Sequence, residues 1–286
     1  MTNDIPKRKD GGIRWDFRPV NADELEACLK DPLWRVCSGV LYKIIIKGDD
    51  GQDGLVINFK PNRSQRRLLA NLWHRNVILK ARQLGFTTLI CILWLDTALF
   101  SENVRCGIIA QDREAAEVIF RDKVKFAYEN LPENLKSAMP LARDSASELL
   151  FAHNNSSIRV ATSMRSGTIH RLHISEFGKI CAKYPEKAKE VVTGSIPAVP
   201  KNGILIIEST AEGREGEFYD ITMRAKSAKE SGKDLTVRDY RFHFFAWWDA
   251  NEYEMPADSV KLTDKDNLYF ERIESQIGQP ISLEKR

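Results

Sequence analysis

Four short apolar runs, spaced so that helices fit between them, constrain this chain more than any other feature: VILK at 77–80, RCGIIA at 105–110, RLHIS at 171–175 and GILIIE at 203–208. Runs of this length without strict polar alternation suit strands buried on both faces. Between the first two, 87–100 is long and apolar enough for a buried helix, and 113–130, ended by Pro132, reads as a second helix. Strands alternating with helices predict an α/β fold with a mostly parallel central sheet flanked by helices on both faces. A further strand is expected at 239–248, and a hairpin where ELLFA and SIRVA flank Asn154 and Asn155.

The rest of the chain is arranged around that core. The first dozen residues read as a frayed tail and 22–29 as a helix, while 41–47 and 55–59 form a hairpin around the Gly/Asp turn GDDGQDG. From Ser64 a helix is expected, because Gln65, Leu68, Leu69, Leu72 and Trp73 recur at helical intervals. Past Pro256 the chain is polar and helical. The expected organisation is a tail and small hairpin-containing subdomain at 1–59, a core at 60–255, and a polar helical segment at 256–286.

Composition removes several function classes. With 286 residues, 43% hydrophobic and 29% charged, the chain is neither disordered nor collagen-like. The most apolar stretch, 88–100, contains Asp96 and is shorter than the roughly 18 residues a bilayer span needs, and the start lacks an apolar export signal, so no membrane role is expected. The five cysteines are scattered without a CxxC pair and read as reduced, mostly buried thiols of a cytosolic protein. Net charge is only +3, but it is unevenly spread. Between Lys60 and Leu95 there are seven Lys/Arg and no Asp or Glu, and the acid-free stretch 149–175 carries Arg159, Arg165 and Arg171. Taken alone, such runs are either solvated faces or anion sites.

The segment VILKARQLGFTT at 77–88 favours the anion site. A phosphate loop needs a strand, a tight turn with free backbone N–H groups, a helix N-terminus, a cation and a hydroxyl for Mg²⁺. Here Lys80, Ala81, Arg82, Gln83, Leu84, Gly85, Phe86, Thr87 and Thr88 are the candidates: Gly85 for the turn, Thr87 for the hydroxyl, and the helix near Thr87 for the dipole. The pattern GxxxxGK followed by Ser or Thr is not matched, since Lys80 stands at the first Gly and Phe86 at the Lys. The bland alternative is a strand-to-helix turn with stray basic residues. Against it stand an apolar strand ending in Ser175 and Glu176, a second ending in Ser209 and Thr210, and Gln65 upstream, where a base reader would sit.

In order and spacing these elements resemble the ATPase domain of the large terminase subunit, the DNA-packaging motor of tailed bacteriophages. The resemblance rests on P-x-x-x-Q at 61–65, K-x-R-Q-x-G-x-T at 80–87, the strand closed by Glu176, E-S-T-A-x-G at 208–213 and G-x-F-Y at 216–219, and it extends over about 41–253. It implies an additional-strand, RecA-like P-loop ATPase that uses ATP and Mg²⁺ to drive double-stranded viral DNA into a procapsid. The implied partners are DNA, a portal protein and a small terminase subunit, with a homo-oligomeric ring during packaging in the host cell cytoplasm. The resemblance also implies roles. Glu176 orients or deprotonates the attacking water and, with Thr87, holds Mg²⁺; Lys80 and Arg82 neutralise the β- and γ-phosphates; Gln65 reads adenine; Ser209 and Thr210 sense the γ-phosphate; Arg165 senses charge or bridges subunits.

This chain departs from the family's pattern at several points. Phe86 replaces the usual lysine, so the cation is expected at Lys80 or Arg82, with Lys80→Ala abolishing hydrolysis and Phe86→Ala sparing much of it. Ser175 replaces the usual aspartate, so Mg²⁺ would lose a carboxylate there. The family's nuclease domain has no room in this sequence, and 256–286 would be a linker toward it. Glu208 either meets a metal or water, or pairs with an Arg of the phosphate loop. His170, His173 and Cys181 lack a fourth ligand for zinc. Phe242, Phe244, Phe245, Trp247 and Trp248 are expected in the core. Two rival readings are a helicase-like DNA-dependent ATPase, which would ordinarily show a second RecA-like domain, and a DNA- or portal-binding module with a decayed ATP site.

Overall fold

The computed structural model describes residues 5–46, 54–165 and 167–286. In chain order the elements begin with helices α1 (Ala22–Lys30) and α2 (Pro32–Cys37) and the antiparallel pair β1 (Lys43–Ile46) and β2 (Leu55–Asn58). The turn expected at 48–54 lies, Gly54 apart, outside the described residues. There follow α3 (Arg63–Leu69), β3 (Arg75–Lys80), α4 (Phe86–Phe100), β4 (Arg105–Ile109), α5 (Arg113–Ile119), α6 (Phe126–Glu129) and α7 (Glu133–Ala138). The next strands are β5 (Leu141–Asp144), β6 (Glu148–Phe151), β7 (Ser157–Ala161) and β8 (Arg171–Ser175). The chain ends with α8 (Phe177–Lys183), α9 (Pro185–Glu190), β9 (Ile204–Ser209), α10 (Gly216–Glu230), β10 (Tyr240–Phe245) and α11 (Asp264–Ile277).

Eight strands form one sheet in the order β10-β3-β9-β8-β4-β7-β6-β5. The six from β10 to β7 run parallel, and β6 and β5 are antiparallel additions. β9, late in sequence, lies between β3 and β8, which is the inserted strand that the family resemblance implies. Three sequence expectations are adjusted. The helix at 113–130 forms but passes through a π-helical turn at Phe120–Lys125. The strand expected at 239–248 stops at Phe245, and Trp247–Asp249 turns into a 3-10 helix. β5 is short and half polar, with only Leu141 and Ala142 apolar among its four residues, and carries no strand signal in the sequence.

Two apolar cores cover the two faces of the sheet. One joins Ile78, Ile108, Ile206 and α4; the other joins Val77, Leu172, Ile174, Leu205 and Ile207 with α8 and α10. Because side chains alternate along a strand, Lys80 follows Ile78 onto the α4 face and Glu208 follows Ile206. His173 and Ser175 lie on the same face, opposite to Leu172 and Ile174. Polar residues placed at every second position thus gather at the carboxyl ends of three neighbouring strands.

Helix α4 is also fastened from its other side. Arg35 on α2 donates from Nε to Asp96 Oδ1 (2.9 Å) and from Nη2 to Oδ2 (2.8 Å), and Tyr42 donates its hydroxyl to the same carboxylate at 2.7 Å. All three side chains are buried. Burial pushes the Asp96 carboxyl upward even against the neighbouring guanidinium. Removing one partner strands a charge in the core. Asp96→Ala is therefore expected to cost about 3–5 kcal/mol in urea denaturation, whereas Arg35→Met with Asp96→Leu loses much less; equal losses would mean that packing, not the ion pair, sets the cost.

Candidate active site

The phosphate-loop candidate connects β3 to α4 and is held by constraints a turn of this kind needs. Gly85 has φ 70°, and a Cβ there would come 2.7 Å from Gln65 Nε2, so only glycine fits. Gln83 also takes a left-handed conformation, φ 57°. No side chain caps the N-terminus of α4, which leaves its first N–H groups facing the loop. Gln65 holds the loop from below: its Oε1 accepts from the Asn62 backbone N–H at 2.9 Å and its Nε2 donates to the Gly85 carbonyl at 2.7 Å. The expected adenine reader is, in this geometry, the fastener of the loop.

Above the loop lies a charged cluster. The Lys80 ammonium sits 3.0 Å from Glu176 Oε1 and 3.1 Å from Glu208 Oε2. Glu208 Oε1 accepts from Ser175 Oγ (2.9 Å), Thr87 Oγ1 (3.0 Å) and His173 Nε2 (3.3 Å). Burial alone would raise the Glu208 carboxyl, but the His173 hydrogen bond, the Lys80 charge and the Ser175 hydroxyl outweigh it and hold it below the usual carboxylate range. Burial likewise lowers the Lys80 ammonium, and the two carboxylates more than reverse that, so it stays charged. Glu176 is the turn from β8 into α8 and has φ 53°, a conformation a non-glycine residue adopts at a cost of about 1–2 kcal/mol. Its Oε2 is buried without a hydrogen-bond partner among the described residues. The oxygen donors of Thr87, Glu176 and Glu208 suit a hard divalent cation such as Mg²⁺.

Several expected site residues are placed elsewhere. Phe86 is buried in the core against Phe245, ring centroids 4.5 Å apart, and Leu84 is buried too, so neither side chain faces the cluster. Thr88 Oγ1 accepts from Lys123 at 3.0 Å. Arg82 is exposed and its guanidinium has no hydrogen bond or ion pair with a described residue; its carbonyl accepts from the Tyr253 hydroxyl at 2.6 Å. Ala81 donates its N–H to the Phe245 carbonyl. Ser209 is fully buried on the opposite face, close to Gly178 of α8, and Thr210 donates to Glu212 at 3.2 Å. Arg165 pairs with Glu190. Glu208 was expected to meet a metal or water or to pair with an Arg of the loop; its ionic partner is Lys80, since Arg82 lies beyond the strand end and is exposed. His170 accepts the Arg105 N–H and His173 faces Glu208. Of the aromatic group, Phe242 and Phe245 are core, but Phe244 is 43% exposed.

The residue that sequence reasoning undervalued is His173. Its signal was visible as a polar residue two positions before Ser175 in an otherwise apolar strand, which puts both on one face. A groove of about 730 Å³ lies along the edge strand β10, lined by Arg67, Trp73, Lys229, Lys233, Arg241 and Phe244. The groove and the charged cluster do not coincide, and buried, mutually perturbed charges are the better marker of a candidate site.

No family model and no curated protein sequence matches the chain. Solved structures do. The large terminase of bacteriophage HK97 is similar over 88% of this chain and 55% of its own, with 16% identity and TM-score 0.53. A variant of the large terminase ATPase domain of Thermus phage P74-26 is similar over 79% of this chain and 94% of its own, with 20% identity and TM-score 0.50. This chain thus spans about half the length of the HK97 protein.

The loop geometry predicts two different failures. Phe86→Ala, expected from sequence to spare much of the hydrolysis, removes a buried ring and is expected to lower stability by about 3–5 kcal/mol in thermal or urea unfolding. Gly85→Ala forces a Cβ against Gln65 and is expected to cost about 1–2 kcal/mol with a larger loss of anion binding; an unchanged Gly85→Ala protein would contradict the loop constraint. In fold, the chain is similar to the ATPase domains of phage large terminases: a mostly parallel sheet flanked by helices, with an inserted strand between the loop strand and its acidic neighbour.

Proposed function

We propose that this chain is an ATPase that uses Mg²⁺ and ATP to drive double-stranded viral DNA into a procapsid, acting with a portal protein and a small terminase subunit as a homo-oligomeric ring in the host cell cytoplasm. The observation that carries the catalytic part is the Lys80 ammonium held between two carboxylates beside an uncapped 15-residue helix and the Thr87 hydroxyl. Phosphoryl transfer asks the protein mainly for positioning and charge neutralisation, and these are the groups it requires. The fold likeness to phage large terminases supports the packaging reading.

On this reading the loop N–H groups and the start of α4 receive the phosphates. Lys80 exchanges both carboxylates for the β- and γ-phosphate oxygens, which frees Glu176 to orient and accept a proton from the attacking water. Thr87 stands where a hydroxyl would hold Mg²⁺, which when bound would offset negative charge on the phosphates. Glu176→Gln leaves the Lys80–Glu208 pair in place. It is expected to bind ATP with near wild-type affinity and to hydrolyse it at least about a hundredfold more slowly; turnover within about tenfold of wild type would remove Glu176 from this role. Lys80→Ala is expected to lose two to three decades of rate, about 2–4 kcal/mol, and to lose stability as well, because Glu208 is left buried without its cation. Wild-type protein with no ATP turnover, alone or with DNA and portal, would favour the binding-module reading.

The DNA part rests on charge. Arg63 and Arg66 on α3 are exposed, and the β10 groove is lined by four cations and one acid. Binding to duplex DNA is expected to be weak, indifferent to sequence and reduced by salt, and Arg63→Ala and Arg66→Ala are each expected to lower the log–log salt slope by about 1. A sequence-specific footprint that persists at high salt would contradict it.

A further inference from the structure

We infer that Glu208, on the inserted strand β9, is the carboxylate that holds the divalent cation with Thr87, across the ladder from Ser175, and that Glu176 is not. This deepens the ATPase reading and rests on it. The end of β8 offers only a hydroxyl at Ser175, and Ser175 is the direct ladder partner of Glu208. Neighbouring strands lie about 4.8 Å apart, a distance that a Glu side chain spans more readily than an Asp. The Glu208 carboxylate does reach across: its Oε1 accepts from Ser175 Oγ at 2.9 Å. The same oxygen accepts from Thr87 Oγ1 at 3.0 Å, while Glu176 has no hydrogen bond to Thr87 among the described residues and is tied to Lys80 instead.

Charge points the same way. One ammonium, Lys80, lies within 3.1 Å of two carboxylates, and the next cation, Lys179, reaches only Glu176, at 4.0 Å. The cluster is therefore short of positive charge on the Glu208 side, and His173, with Nε2 directed at Glu208 and Nδ1 buried without a partner, supplies an orienting hydrogen bond. When Lys80 moves to the phosphates, Glu208 loses its one ammonium partner among the described residues. A divalent cation beside Thr87 restores the balance, whereas Glu176, less buried at 23% side-chain exposure, can turn to water. Mg²⁺ needs few protein ligands, since phosphate oxygens and waters complete its shell.

The test uses a fluorescent ATP analogue titrated with and without Mg²⁺. Wild type is expected to bind more tightly with Mg²⁺. Read as the ratio of affinities with and without Mg²⁺ within each protein, Glu208→Gln is expected to lose at least about tenfold of the Mg²⁺-dependent gain whatever its Mg²⁺-free affinity, and adding Ser175→Asp is expected to restore most of that gain. A Glu208→Gln protein with the full wild-type gain overturns the inference and leaves the ATPase reading standing; wild-type protein that binds no nucleotide overturns the reading itself. Should Glu208→Gln fail to fold, a wild-type crystal structure with Mn²⁺ and a non-hydrolysable ATP analogue decides. Mn²⁺ bound to Glu208 directly, at about 2.1 Å, or through one water supports the inference, and Mn²⁺ held through Glu176 with Glu208 still on Lys80 refutes it.

Discussion

The ion triad of Lys80, Glu176 and Glu208 is the constraint on which the site depends. Each member comes from a different strand end, and none is tolerable in the interior alone, since an unpaired buried charge costs several kcal/mol. The Glu208 side chain is fully buried and Lys80 nearly so. The carboxyl ends of β3, β9 and β8 are thereby pinned side by side before any ligand arrives. The arrangement is also poised, because the cation that satisfies the carboxylates is the one an entering polyphosphate would compete for.

Around that triad the loop is held by contacts from several elements. Gln65 grips the Gly85 carbonyl, Phe86 anchors the first helical residue against Phe245, and Tyr253 donates to the Arg82 carbonyl. Farther along α4, the buried Arg35–Asp96–Tyr42 group ties the helix to the N-terminal elements. The left-handed conformations at Gln83 and Glu176 are strained, and such strain persists only where surrounding contacts over-determine the backbone. A loop fixed in this way can present N–H groups to phosphates without reorganising when they arrive.

Substitutions that depart from a motif become intelligible once the faces are known. Phe86 occupies a core position, so a lysine there would be buried against Phe245, and on the proposed reading the cation would come from Lys80 at the preceding strand end. Ser175 is short because Glu208 leans across it. Glu208 meets both Lys80, six residues before Phe86, and Ser175 on the neighbouring strand, so on the proposed reading both departures would be compensated by neighbours outside the motif positions themselves.

The chain's own residues determined most of the scaffold. Unbroken apolar runs can only be central strands, apolar 15-residue stretches between them can only be covering helices, and a glycine between VILK and a helix marks a tight turn. Glu176, Lys80 and Thr87 were legible as candidates because charged and hydroxyl groups stand where apolar runs end. Weak local signals failed where length or polarity was marginal, as at β5 and the 3-10 turn after Phe245. What only the tertiary structure decided is which residue meets which. Strand order is set by the packing of helices on two faces rather than by any local preference, and it brings Glu208 between Lys80 and Ser175, while the docking of α3 commits Gln65 to the loop. Local sequence specifies the face on which a side chain lies; the order of the strands, a sum over many distant contacts, specifies its neighbour.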